Sequence, residues 1–192
     1  SLARGVFTRR DLEILEAMGS QIALTQEMAR SARMQVERLA LEKDLALSGT
    51  VQALFLPKQR DVALGPVSVS AAYVPVSHSG GDFWTHERRA DGRVWVLVAD
   101  ATGHGAGAAM VTAQLAGSYR SLVDLGVEQL PELLARLHGT ALALCAGRYA
   151  ATLTALEVSA DGTRATLFSA GGPPVLLRAP SGEVDAHVLR GT

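Results

Sequence analysis

The first fifty-six residues contain no proline, and the first proline is Pro57. Over that stretch charges are spread evenly, while apolar or small side chains recur at heptad-like spacing. Leu15, Met18, Ile22, Thr25, Ala29, Ala32, Val36, Leu39 and Ala46 fall on one stripe, interrupted by Lys43. This is the a/d pattern of a coiled coil with a weak, alanine-lined middle. Thr8 followed by Asp11 supplies a capping-type start. The pattern predicts one long helix over residues 1–50. About 40 helical residues extend roughly 60 Å at 1.5 Å per residue, longer than a domain of this size is wide. A stripe of this kind most commonly packs on its own domain; its length favours a second helix instead, and a parallel homodimer is the expected arrangement.

Beyond Pro57 the periodicity changes. Alternating patterns predict strands at Val67–Val74, Val94–Ala99, Ala151–Val158, Arg164–Ser169 and Val175–Arg178, with hairpin turns at Asp161-Gly162 and Ser181-Gly182. Two helices are inserted, one from about Gly105 to Leu125 and one from Pro131 to about Leu144, the second with proline in its first turn. Strands grouped around consecutive helices, without strict βαβ alternation, predict an α+β fold. The chain thus divides into a helix at 1–50 and a second domain at 51–192.

Within that domain two aspartates stand eighteen residues apart, each in a glycine-rich turn: Gly80-Gly81-Asp82-Phe83 and Asp100-Ala101-Thr102-Gly103-His104-Gly105. Asp and Gly in one turn ordinarily mean side-chain hydrogen bonding and positive φ. Here an Asp91-Gly92 turn lies between the two motifs, so a hairpin from Asp82 through Asp91-Gly92 and back along Val94–Ala99 returns the chain beside its start. Both carboxylates then face one point. Paired carboxylates at strand ends suit a hard divalent cation, since Mg²⁺ and Mn²⁺ take oxygen ligands in near-octahedral geometry.

Five ordered segments carry a family resemblance. Leu54-Phe55-Leu56-Pro57 is similar to an opening Leu-Leu-Pro, and Ala72-Tyr73-Val74-Pro75 with Gly80-Gly81-Asp82-Phe83-Trp84 to Tyr-x-Pro and Gly-Gly-Asp-Phe-Tyr. Asp100 through Gly105 is similar to Asp-x-x-Gly-His-Gly, Tyr149-Ala150-Ala151-Thr152 to a Phe-x-Thr strand start, and Ser169–Pro174 to Asn-Ala-Gly-His-x-Pro. From about Leu54 to Leu177 the chain resembles the metal-dependent, type 2C-like PPM serine/threonine phosphatases, in the bacterial branch of sporulation stage II protein E and the sigma-factor-regulator phosphatases. The resemblance implies a two-sheet sandwich flanked by helices. It also implies two Mn²⁺ or Mg²⁺ ions bridged by Asp100, with Asp82 on one of them, the Ala101 carbonyl completing part of a shell, and a metal-activated water attacking phosphorus in line. Cys145 is then not needed as a nucleophile.

The chain departs from this pattern in three places. No Thr-Asp-Gly turn occurs anywhere in the sequence, whereas the family has a further strand pair with that turn and a later metal-binding aspartate; a C-terminally truncated domain is expected, with a degenerate family member as the alternative. Gly172 stands where the family often has His, and Thr85 where an acidic residue is common. Phe7 through Ala23 also resembles the last helix of a GAF sensor domain, which implies a sensor upstream.

A net charge of −1 from 18 basic and 19 acidic residues gives no electrostatic case for a nucleic-acid partner. Apolar residues at 48% support a sizeable core. One cysteine excludes an internal disulfide framework and suits a reducing, cytoplasmic compartment, and no apolar stretch is long enough for a membrane span. Among the histidines, His104 sits where it reaches a metal-bound water or a phosphate oxygen, with turn-shaping an equal reading. His78, in the Val76–Ser79 loop, is read as exposed, and His86, His138 and His187 as surface or satisfied residues without zinc-type spacing. Arg88, Arg89 and Arg93 of the hairpin are read as solvated more readily than as phosphate ligands, and Trp84 and Trp95 as core or rim. The Gly103–Gly107 turn offers N–H groups to an anion but lacks the Lys and Ser/Thr of a nucleotide loop.

The expected activity is therefore metal-dependent dephosphorylation of phosphoserine or phosphothreonine on a regulatory protein, of the anti-sigma-factor antagonist type. The competing expectation is a non-catalytic, phosphatase-like dimeric binding module. A third is a dimeric scaffold that binds no metal.

Overall fold

Three reciprocal hydrogen bonds between Thr8 and Asp11 start the long helix. The Asp11 carboxylate accepts from the Thr8 backbone N–H at 2.8 Å and from its hydroxyl, and the Asp11 N–H donates back to the Thr8 hydroxyl oxygen at 3.3 Å. Those bonds hold the Asp11 carboxyl below its ordinary range. Helix α1 then runs Arg9–Ala53 without a break. The computed structural model describes residues 8–75, 79–145 and 147–187, and the chain separates into a unit at Ser1–Asp44 and one at Leu45–Thr192. In the first unit Leu15, Met18, Ile22, Val36 and Leu39 of the stripe are all exposed. No helix among the described residues is long and apolar enough to cross a membrane.

The second unit is α+β with antiparallel sheets. After the last turns of α1 come β1 (Asp61–Leu64), β2 (Val67–Ser70), β3 (Asp82–Arg88), β4 (Val94–Ala101), α2 (Ala106–Asp124), α3 (Leu130–Cys145), β5 (Ala151–Val158), β6 (Ala165–Ala170), β7 (Val175–Arg178) and β8 (Val184–His187). The central sheet has the order β3-β4-β5-β6, every pair antiparallel. Among the described residues, β1–β2 and β7–β8 form two further, two-stranded antiparallel sheets outside it. Their four-residue strands each complete only their own ladder. The turns at Asp161-Gly162 and Ser181-Gly182 join β5 to β6 and β7 to β8, with Gly162 and Gly182 at positive φ as such turns require.

Strand β4 shows why the helices lie where they do. Trp95, Leu97, Ala99 and Ala101 alternate with Val96, Val98 and Asp100, and the first set is buried. Trp95 and Leu97 pack with Ala155 of β5, Tyr119 of α2, and Leu130, Leu133 and Leu137 of α3. Phe83 and Ala99 pack with Leu115 and Ala116 of α2. One face of the sheet is thus closed by α2 and α3, and Val98 on the other is half exposed.

Of the three hairpin arginines Arg88 is exposed, as the sequence suggested, but Arg89 and Arg93 are not simply solvated. Arg89 lies over the Trp95 ring, 4.3 Å from its centre, and donates to the Val127 carbonyl at 2.9 Å and to Glu87 at 3.2 Å. Arg93 donates to Glu157 at 2.8 Å and to the Glu128 carbonyl at 2.9 Å. Both tie the β3–β4 hairpin to the α2–α3 connection, so they are structural and point away from any phosphate role. Burial, followed by the negative charge and hydrogen bond of Glu87, pushes the Tyr119 hydroxyl far above its ordinary range. Glu157 also accepts from the buried Trp95 indole N–H at 2.7 Å. Glu157→Ala leaves the indole N–H without its partner and removes one of the ion pairs of Arg93, which keeps Asp91 and the Glu128 carbonyl, and is expected to lower unfolding free energy by about 2 kcal/mol, read as a lower urea midpoint at unchanged slope.

Candidate metal centre

The β3–β4 register pairs Asp82 directly with Asp100. Directly opposed residues point to one face with Cβ atoms about 5 Å apart. The Asp91-Gly92 turn sets this register: Gly92 takes φ 86°, Gly92 N–H donates to the Arg89 carbonyl at 2.9 Å, and Asp91 accepts from the Arg93 N–H at 3.0 Å. From there the strands pair residue by residue up to the two carboxylates. The juxtaposition expected from the sequence is present.

Both aspartates open to solvent at the strand ends. Partial burial first, then the negative charge of Asp100, then a hydrogen bond with it, raise the Asp82 carboxyl above its ordinary range. Opposed like charges destabilise a sheet, and a divalent cation between them removes the conflict. The third oxygen is a backbone one. The Ala101 N–H donates to the Gly81 carbonyl at 2.8 Å, and the Ala101 carbonyl occupies the space that a Cβ on Gly81 would need. That same Cβ would lie 3.0 Å from Asp100 Oδ1. Two carboxylates and a carbonyl at one strand end are hard oxygen donors of the kind Mg²⁺ and Mn²⁺ prefer. Among the described residues no third His, Cys, Asp or Glu joins the pair.

The turn after Asp100 is shaped by glycine. Gly103 and Gly105 take φ 95° and 78°, conformations that a side chain would strain, and Gly105 leads directly into α2. Thr102 N–H donates to the Ala150 carbonyl at 2.8 Å and its hydroxyl accepts from Ala150 N–H at 3.0 Å, fastening the turn to the start of β5. His104 is exposed in this turn. At Gly172 the Thr154 hydroxyl fills the place of a Cβ, which accounts for the absence of a larger residue there. Trp95 is fully buried and Trp84 nearly so. His86 is half-buried on β3 beside Trp84, ring centres 5.6 Å apart, with Nε2 buried and unpartnered, and so is not the surface residue expected. His138 and His187 are exposed. His78, the Cys145 side chain and Leu189–Thr192 lie outside the described residues.

Sequence reasoning missed Gln52. It is 4% exposed at the end of α1 and bonds both to Gly80, two residues before Asp82, and to Thr112 of α2. Its only local signal is a polar residue just before the Leu54–Pro57 segment.

The family model for stage II sporulation protein E (SpoIIE) matches residues 90–191, just over half of the chain, and includes Asp100 and Ala101. No curated protein matches. Among solved structures, the RsbU and RsbW domains of Rv1364c from Mycobacterium tuberculosis are similar at TM-score 0.52 and 23% identity, covering 60% of this chain and 32% of that one. The SiaA-PP2C domain of Pseudomonas aeruginosa is similar at TM-score 0.57 and 16% identity, covering 70% and 55%. The chain therefore spans about a third of the first and just over half of the second, and these likenesses bear on the fold. The family match, over more than half of the chain, shows that the chain belongs to the stage II sporulation protein E (SpoIIE) family, and the likeness to the SiaA-PP2C domain is one of fold.

Proposed function

We propose that residues 51–192 form a metal-dependent protein serine/threonine phosphatase domain in which Asp82, Asp100 and the Ala101 carbonyl hold Mn²⁺ or Mg²⁺. The observation that carries this reading is the direct opposition of Asp82 and Asp100, with the Ala101 carbonyl against a glycine. When bound, divalent cations supply charge stabilisation for the phosphoryl oxygens and a water made nucleophilic near neutral pH. The protein's part is to fix three oxygens at the end of a rigid sheet and to keep the place open to solvent. The complete centre takes two ions. The substrate is phosphoserine or phosphothreonine on a regulatory protein of the anti-sigma-factor antagonist type, in the cytoplasm. The Mycobacterium tuberculosis neighbour, which joins an RsbU to an RsbW domain, supports a regulatory partner of this kind.

The test is hydrolysis of a simple aryl phosphate by this chain with Mn²⁺ and with chelator. Turnover that requires the metal supports the reading. Mn²⁺ bound without turnover replaces it by a non-catalytic binding module, and no specific Mn²⁺ binding leaves a metal-free scaffold.

Residues 1–50 serve as a signalling and dimerisation helix, pairing in parallel through the exposed stripe. Ala32→Pro, which breaks the helix within the stripe, is expected to shift the chain to monomer in sedimentation and to change phosphatase activity with it. Unchanged activity in the monomer separates the helix from catalysis.

A further inference from the structure

Gly80 is buried, and its backbone groups precede β3, where no strand among the described residues serves them. Gln52 takes the place of that strand. Its Oε1 accepts from the Gly80 N–H at 3.0 Å, and its Nε2 donates to the Gly80 carbonyl at 2.7 Å. One residue thus receives both bonds of a ladder position from a side-chain amide. The reversed amide would set NH₂ against the Gly80 N–H and carbonyl against carbonyl, so these contacts fix its orientation. Nε2 also lies 3.3 Å from the Asp82 carbonyl and 3.1 Å from the Thr112 hydroxyl oxygen, while the Tyr73 hydroxyl donates to Oε1 at 3.4 Å.

Both halves of the candidate centre are reached from this one amide. Asp82 follows Gly80 by two residues. Thr112 lies in α2, which opens directly after the Asp100–Gly105 turn, and its hydroxyl is turned toward the helix carbonyls of Ala108 and Ala109. Gln52 itself is in the last turn of α1.

We propose that Gln52 is a positioning residue for the metal centre: from the last turn of α1 it holds the Gly80–Asp82 backbone against α2, so that a change in that turn changes the affinity for the divalent cation. The proposal rests on the metal-centre reading above. Partners behind metal ligands are where such affinity is set, and their loss typically costs 10–100-fold.

Gln52→Met keeps length and apolar stem but removes every bond of the amide. Its Mn²⁺ affinity is measured by calorimetry, well below the unfolding transition, beside wild type, Asp100→Asn and Leu137→Ala, a core change within the cluster around Trp95. The expected result is a Kd raised about 10–100-fold in Gln52→Met and unchanged in Leu137→Ala. Amide exchange of Gly80 in metal-free protein is expected to accelerate in Gln52→Met alone. A Gln52→Met chain that melts earlier yet binds Mn²⁺ with the wild-type Kd overturns the proposal, because Gln52 is then a structural residue only. Wild type that binds no Mn²⁺, or binds it equally in Asp100→Asn, overturns the metal-centre reading and this inference with it.

Discussion

Asp100→Asn is expected to lower Mn²⁺-dependent phosphate monoester hydrolysis about a thousandfold, equivalent to ~4 kcal/mol of transition-state stabilisation. The side chain keeps its shape, so the β3–β4 register that pairs it with Asp82 is retained. What is lost is the anionic charge and one oxygen donor at the only point where both strands present a carboxylate. The same substitution removes a charge that repels Asp82, so the metal-free protein is expected to melt no earlier than wild type. The pH dependence separates these effects. Asp82 is raised in the folded state by burial and by Asp100. A raised carboxyl contributes stability fully present below its ordinary, unfolded pKa and lost as pH rises through the folded value. In chelator, wild type should lose stability across that window above pH 3.8, the ordinary value, and Asp100→Asn should lose less. Activity that survives in Asp100→Asn removes Asp100 from the centre.

That pairing was legible before any coordinates because its determinants are local. A turn with Gly92 at positive φ and the alternation along Trp95–Ala101 leave one register. The capping of α1 by Thr8 and Asp11 is equally local, as is the need for glycine at 103 and 105. Gln52 was invisible for the opposite reason. Its partners are Gly80 and Thr112, far along the chain, and nothing around residue 52 distinguishes a buried amide from an exposed helical one. Arg89 and Arg93 misled in the same way: hairpin arginines are commonly solvated, but these reach Val127, Glu128 and Glu157. Side chains that bind across the fold leave no periodic trace in the residues beside them. His86 illustrates the limit from another side, since its alternation places it among Trp84 and Arg88 on β3 but does not say which face is closed.

Gly80 and Gly81 are adjacent, yet alanine is expected to be tolerated at one and not at the other. Neither requires positive φ, so the difference lies in what a new methyl group meets. At Gly81 it meets the Ala101 carbonyl, a backbone group of a residue paired with Ala151 of β5 and one of the three proposed oxygen donors, with Asp100 Oδ1 at 3.0 Å beyond it. Neither can move without parting the strands at the point where the carboxylates must converge. Gly81→Ala is therefore expected to cost 1–3 kcal/mol of stability, roughly the range for overpacking. It should also lower Mn²⁺-dependent turnover about a hundredfold, the effect of displacing reacting geometry by about 1 Å. At Gly80 the methyl group meets the Tyr73 hydroxyl at 2.8 Å, the far end of a side chain that can swing aside. The loss there is one long hydrogen bond to Gln52, worth about 1 kcal/mol or less, and turnover should stay near wild type. Thermal melts and Mn²⁺-dependent kinetics on the two variants decide the matter. If Gly81→Ala keeps full activity, or if the two glycines respond alike, the Ala101 carbonyl is not part of the working site.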